Sequence, residues 1–208
     1  MINIHENVSF SSLTTLKIGG PVKYFAVAFS VEDLVQLIKK AVRENIPYLI
    51  IGGGSNLLVS DNGYRGMVIQ NLVRGIEKRD DTIEIGSGTD LQELVWWANE
   101  NGISGFEKLA GIPGTVGGAV YGNAGAYGQT ISDNLLGVEV LRHGNAVALN
   151  KDQCKFGYRT SIFKETHEPI LKVKFRATVG DSSQLLAVSN ETIATRVRRY
   201  PPGLSIPG

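Results

Sequence analysis

Residues 109–128, LAGIPGTVGGAVYGNAGAYG, hold seven glycines and no charged side chain, with Tyr121, Asn123 and Tyr127 set among them. Glycine loses more conformational freedom on folding than any other residue, so a cluster of it needs a physical reason. One reason is access: where side chains are removed, several backbone N–H groups reach a ligand together and bind phosphate oxygens without a cation. A second stretch has the same character. Gly52-Gly53-Gly54-Ser55-Asn56 follows the apolar run PYLII, and in parallel α/β units ligands bind beyond the carboxyl ends of strands. Its three glycines permit a sharp turn, and Ser55 and Asn56 add side-chain donors.

The type of loop narrows the ligand. No G-x-x-x-x-G-K-[ST] is present, and G-x-G-x-x-G is incomplete because Leu57 takes its last position. Taken alone, GGGSN reads better as a tight turn without a ligand. The second segment shifts that balance. Pro113 fixes the chain direction, and Gly117 and Gly118 allow close approach of a flat or charged group. Two separate glycine loops suit a ligand with a pyrophosphate in its middle and large groups at both ends, with packing alone as the alternative.

Elements that position these loops can be read on either side. SVEDLVQLIKKAVRENI has apolar Leu34, Leu37, Ile38, Ala41 and Val42 at helical spacing, and Ser30 with Asp33 forms a capping box. KYFAVAF, PYLIIG and GMVIQN read as strands, so residues 17–72 suggest a small parallel unit. Beyond it, TIEIGSG alternates, and TDLQELVWWANENG is a helix with a Thr89–Gln92 capping box, a Leu91/Leu94/Val95/Ala98 stripe and an Asn101-Gly102 stop. Trp96 and Trp97 read as packing residues rather than stacking partners for a ligand ring. GVEVLRHGNAVALN is a hairpin turning at His143-Gly144-Asn145. In ILKVKFRATV, Leu171, Val173, Phe175, Ala177 and Val179 face one way and Lys172, Lys174 and Arg176 the other, as in an antiparallel strand with one wet face. SSQLLAVSNETIATRVRRY is a helix that Pro201 and Pro202 terminate. Its RVRR end suits the helix dipole, with contact to an anionic substrate as the other reading.

Composition excludes several classes. The chain has 208 residues and a net charge of +1, so no bulk field attracts nucleic acid or anionic lipid. Cys154 is alone, and His5, His143 and His167 lack metal-ligand spacing, so neither a disulfide within the chain nor a metal site is expected. MINIHENVSFSS has no apolar signal core and no run of about 18 apolar residues occurs, which points to the cytoplasm and away from membranes.

TTLKIGGP, GGGSNLLVSDNGYRGMVI, LAGIPGTVGGAVYGNAGAYG and FGYRTSIFK, in that order, closely resemble the UDP-N-acetylenolpyruvoylglucosamine reductase (UDP-N-acetylmuramate dehydrogenase) family. The resemblance runs from about Thr14 to Gly208. It implies an α+β chain with the para-cresol-methylhydroxylase-type FAD-binding fold in two α/β subdomains. These would be residues 1–72 and 73–180, with 181–208 a helix and the start of a substrate domain. Non-covalent FAD is implied, held from the first loop by Gly52, Gly53, Gly54, Ser55, Asn56 and Leu57. From the second segment it would be held by Ile112, Pro113, Gly114, Thr115, Gly117 and Gly118, and then by Asn123, Ala124, Gly125 and Tyr127.

The implied reaction passes hydride from NADPH through the flavin to the enolpyruvyl double bond of a UDP-sugar in peptidoglycan synthesis. Arg159 matches the family's arginine for the enolate, and Tyr158 beside it would also bind substrate. Arginine suits that work because it stays charged and grips a carboxylate with two parallel bonds. The family's general-acid serine lies in a GS-x-F-K-N-P-like motif. Here RRYPPGLSIPG reaches Gly208 without it, Ser205 does not match, and the family's C-terminal glutamate is absent too. Two alternatives therefore stand: a partial or non-catalytic flavin-binding module, and another FAD oxidoreductase of the same fold.

Overall fold

The computed structural model describes residues 2–199; Pro201 and Pro202 lie outside the described residues. The chain divides between Arg74 and Gly75 into two compact units.

The first unit is built on β1 (Ile4–Ser9), β2 (Pro21–Ala28), α1 (Val31–Arg43), β3 (Tyr48–Ile51) and β4 (Tyr64–Asn71). Its sheet has the order β1-β2-β4-β3, with β2, β4 and β3 parallel and β1 antiparallel to β2. The parallel arrangement needs a crossover, and α1 supplies it between β2 and β3. Ser30 accepts from the Asp33 amide at 3.0 Å while Asp33 accepts from the Ser30 amide at 3.2 Å, so the expected capping box forms. Leu34, Leu37, Ile38 and Ala41 of α1 are buried, but Val42 is 61% exposed, on the polar side of the stripe assigned to it. Alternation along β2 and β4 sends Phe25 and Val68 to one face, where they join Phe10, Val22 and Ile51 in a core. Strand β3 ends in buried Ile51, and the next residue is Gly52.

The second unit runs through β5 (Ile76–Arg79), β6 (Thr82–Gly86), α2 (Leu91–Glu100), β7 (Ile103–Ser104), α3 (Val116–Gly122), β8 (Gly125–Ala126) and β9 (Gln129–Thr130). It continues with β10 (Leu135–Arg142), β11 (Asn145–Asn150), α4 (Phe163–Thr166), β12 (Ile170–Arg176), β13 (Thr178–Val179) and α5 (Ser182–Arg199). Five strands make an antiparallel sheet in the order β11-β10-β12-β6-β5. Val173 pairs with Ile85 and Phe175 with Ile83, so the buried faces of β12 and β6 match. Phe175 also meets Phe106 edge to face at 5.2 Å. Helix α5, set apart in the sequence as residues 181–208, packs with α2 in this unit.

Three local expectations are corrected. The cap of α2 is Asp90, whose carboxylate accepts from the amides of Gln92 and Glu93; Thr89 bonds Gly75 instead. An Asp one residue nearer the helix outcompetes the threonine because its charge also suits the N-terminus. The β10–β11 turn is the two residues His143 and Gly144, both at positive φ, and Asn145 already pairs with Arg142. Finally, the alternation of β12 holds only through Phe175. The chain then leaves the sheet to pair β13 with β7, and Val179 is 90% exposed. Among the described residues, no helix is long and apolar enough to cross a membrane.

Candidate functional site

In the first unit, the GGGSN loop is seated on residues 13–15. Gly54 has φ +67°, and a Cβ there would lie 2.0 Å from the Leu13 carbonyl oxygen. Its own carbonyl accepts from the Thr15 amide at 3.3 Å. Gly54 is therefore glycine for the sake of the protein. Among the described residues, the amides of Gly53, Gly54 and Asn56 meet no acceptor; Gly53 and Asn56 are exposed and Gly54 is buried. Gly52 and Ser55 flank them, half-buried, and Leu57 packs against the core cluster around Phe10.

In the second unit, the glycine-rich segment is more selective than its sequence suggests. The amides of Ile112, Val116 and Gly117 donate to the carbonyls of Leu109, Thr89 and Ser87, and Gly118 donates to Thr115 Oγ1. Two amides remain without an acceptor among the described residues, those of Gly114 and Thr115. The expected row of free amides is thus a pair, preceded by exposed Pro113.

The glycines separate in the same way. A Cβ at Gly117 would stand 2.9 Å from Ser87 Cβ, and one at Gly125 would stand 2.7 Å from the Gln129 carbonyl. Both glycines answer to packing. A Cβ at exposed Gly118 would meet nothing nearer than Thr115 Oγ1 at 3.5 Å, and one at Gly122 would meet nothing within 4 Å. Glycine inside a helix costs about 0.5–1 kcal/mol relative to alanine. Packing therefore does not require glycine at Gly118, in the first turn of α3, or at Gly122, its last residue.

Asn123 caps α3 at φ +44° and is buried. Its Nδ2 donates to the Gly157 carbonyl at 2.9 Å, whereas Oδ1 is buried without a donor among the described residues. A carbonyl partner fixes which end of the amide is nitrogen, so the orphan is an acceptor. Ala124 lies half-buried beyond it, packed against the core, and Tyr127 turns the β8–β9 hairpin with Gly128, both at positive φ.

The Asn123 bond leads to the arginine. Gly157 and Thr160 exchange backbone hydrogen bonds at 3.1 and 3.3 Å, closing a two-residue turn of Tyr158 and Arg159. Arg159 holds φ +54°, a conformation that L-residues with side chains rarely take. The turn is fastened besides by Lys164 Nζ on the Arg159 carbonyl at 2.7 Å and by Ser161 Oγ on the Tyr121 carbonyl at 2.7 Å. The resemblance carried by FGYRTSIFK marked Arg159 but not these fasteners, whose acceptors lie up to 40 residues away. Tyr158 is 94% exposed, Arg159 is exposed, and no acidic side chain among the described residues pairs with that guanidinium. Nearby Cys154 is buried, and burial pushes its thiol up to about 11, so it offers no nucleophile at neutral pH. Among the described residues no group of three His, Cys, Asp or Glu is placed to hold a metal.

Unpaired amides in each unit suit phosphate oxygens, the open side of Gly118 suits a flat group, and an orphaned buried acceptor suits an N–H or O–H donor. A diphosphate supplies the oxygens that such amides take, and a hydroxyl or ring imide the donor that such an acceptor takes.

Comparison with known proteins agrees. Residues 22–148 match the model of the FAD binding domain family. UDP-N-acetylenolpyruvoylglucosamine reductase of Solibacter usitatus is 35% identical over 207 residues, which is 99% of this chain and 66% of that protein. The Lactococcus lactis subsp. cremoris reductase is 38% identical over 88% of this chain and 62% of its own length. The chain therefore spans 62–66% of the length of these curated relatives. The crystal structure of UDP-N-acetylenolpyruvylglucosamine reductase from Thermus caldophilus superposes with a TM-score of 0.82 at 31% identity, over 94% of this chain and 70% of that one. The fold is the para-cresol-methylhydroxylase type and its cofactor is FAD. Because the shared identity covers 99% of this chain, and so extends beyond residues 22–148, the chain belongs to the UDP-N-acetylenolpyruvoylglucosamine reductase family.

Proposed function

We propose that the chain serves the reduction of an enolpyruvyl UDP-sugar by NADPH. When bound, FAD supplies the relay of hydride from the nicotinamide to the enolpyruvyl double bond. In the first unit, the amides of Gly53, Gly54 and Asn56 bind phosphate oxygens, with Gly52, Ser55 and Leu57 shaping the loop. In the second unit, Gly114 and Thr115 donate to the cofactor. Gly118 leaves it room, Asn123 Oδ1 accepts one of its N–H or O–H groups, and Ile112, Pro113, Gly117, Ala124, Gly125 and Tyr127 complete the wall. Arg159 holds the substrate carboxylate, with Tyr158 against the enolpyruvyl sugar. Hydride addition at one alkene carbon drives negative charge toward that carboxylate, and the Arg159 guanidinium stabilises it as it forms. Protonation of the other carbon by a general acid completes the product, a role assigned to none of the residues named above. A lone buried thiol suits a reducing compartment, so the reaction is assigned to the cytoplasm.

The observation that carries this reading is Arg159 itself: an arginine with no acidic partner among the described residues, kept at φ +54° in a closed turn that three side chains fasten. Such strain persists where the surroundings impose it, and it clusters at working sites. The test is a pair of half-reactions on protein loaded with FAD, comparing wild type with Arg159→Met. Reduction of the flavin by NADPH proceeds alike in both. Anaerobic reoxidation by the enolpyruvyl UDP-sugar slows by about 100-fold in the variant, as for loss of one preorganised charge-stabilising group. Protein that takes up no flavin would refute the cofactor assignment, and reoxidation indifferent to the UDP-sugar would refute the substrate.

A further inference from the structure

Gly111 opens the IPGT loop at φ +75°, and side chains hold both of its backbone polar groups. Its amide donates to Gln92 Oε1 at 2.6 Å, from the first turn of α2, and its carbonyl accepts from Arg196 Nε at 3.0 Å, from the last turn of α5. A Cβ at 111 would stand 3.1 Å from Arg196 Cδ, so the arginine stem lies against the bare glycine. Next to Gln92, the Leu91 amide donates to the Gly114 carbonyl at 2.9 Å. Two consecutive residues of α2 thus grip the loop at both its glycines. The Gln92 amide cannot turn over, because the Gly111 N–H needs an oxygen, and its Nε2 is left buried without an acceptor among the described residues. One turn beyond Arg196, Arg199 sits over the Tyr127 ring, 5.9 Å from its centroid. Residues three apart share a helix face, so the end of α5 touches both ends of the segment from Gly111 to Tyr127. Attraction to the helix dipole explains why cations gather there but not why one of them bonds a glycine carbonyl.

We propose that Arg196 and Gln92 are positioning residues for the cofactor. They set the backbone at Gly111 and, three and four residues on, the unpaired amides of Gly114 and Thr115, while Arg199 steadies the far end at Tyr127. Docking of α5 and affinity for FAD are then coupled through one glycine. This rests on residues 112–118 being a cofactor loop, as proposed above. A loop held in its binding shape before the ligand arrives spares the ligand the cost of ordering it.

The test is titration of apoprotein with FAD, followed by flavin fluorescence quenching and the visible absorption band, with apoprotein melting measured in parallel. Arg196→Met keeps the stem and removes the donor; it should bind FAD about tenfold more weakly and with an altered band. Arg196→Lys, which keeps a donor, should recover part of both, and Gln92→Met should repeat the Arg196→Met result. Gly118→Val, which fills the open side of α3, is the control for the loop. If Gly118→Val loses FAD while Arg196→Met and Gln92→Met bind with wild-type affinity and spectrum, the positioning role is overturned and the loop reading stands. If Gly118→Val binds FAD normally, the loop reading falls and the proposal falls with it. If affinity drops only in step with apoprotein melting and lysine gives no rescue, the role is structural and the proposal is wrong.

Discussion

The side-chain amide of Asn123 donates to the Gly157 carbonyl at 2.9 Å and ties the end of the glycine-rich segment to the turn that carries Arg159. Aspartate tolerates the left-handed backbone of this position about as well as asparagine, but its carboxylate cannot donate to a carbonyl. Asn123→Asp should therefore destabilise the fold by about 1–3 kcal/mol, the cost of setting a buried carboxylate against a half-buried carbonyl. Chemical denaturation at neutral pH measures it, and an unchanged midpoint would mean that the bond contributes nothing.

Adjacent glycines should respond to the same substitution with opposite signs. Gly117→Ala puts a methyl group 2.9 Å from Ser87, so the apoprotein loses stability. Gly118→Ala adds a methyl group in open space on α3, and helix propensity alone should raise apoprotein stability by about 0.5–1 kcal/mol. The same methyl stands where the cofactor is assigned, so FAD affinity should fall. Melting with and without FAD separates the two effects; a Gly118→Ala variant with unchanged FAD affinity would remove that glycine from the site.

What could be read along the chain and what could not divides by the range of the cause. The cap of α1 lies between Ser30 and Asp33, and the buried positions Leu34, Leu37, Ile38 and Ala41 follow from their spacing. Strands β2, β3 and β4 were legible from their apolar runs, and the glycine loops from composition. The state of each amide in those loops was not legible. Gly117 spends its N–H on Ser87, 30 residues earlier, and Gly111 is gripped by Arg196, 85 residues later. Nothing local marks such partners. Val42 and Val179 failed for a related reason: a periodic pattern says which residues share a face but not where the neighbouring element ends.

Arg159 should show a trade between stability and activity. At φ +54° glycine is at ease and arginine is not, by about 1–2 kcal/mol. Arg159→Gly should accordingly resist denaturant better than wild type, even after the greater entropy of its unfolded chain offsets part of the gain. It should also lose the acceleration of flavin reoxidation by the enolpyruvyl UDP-sugar. A variant that is neither more stable nor slower would show that the backbone conformation carries no strain and the side chain no role.

Arg142 and Glu168 form one of the ion pairs of the second unit that lower a carboxyl's pKa, as Lys172 and Glu84 also do. The guanidinium binds the carboxylate through Nε and, at 3.0 Å, through Nη2, and Glu168 is far less exposed than its partner. The Arg142 hydrogen bonds hold the Glu168 carboxyl below its usual value of 4.5, against the opposing effect of burial. A carboxylate whose folded value is depressed gives stability that is complete above the unfolded value and is lost as pH falls through the folded one. The difference in melting temperature between wild type and Glu168→Gln should therefore be largest near pH 7, constant down to about pH 5, and shrink below about pH 4.5 as both chains carry a neutral side chain at 168. Parallel melting curves from pH 7 to pH 3 would show that the pair, though bidentate, contributes nothing to the pH dependence, as exposed ion pairs often do not.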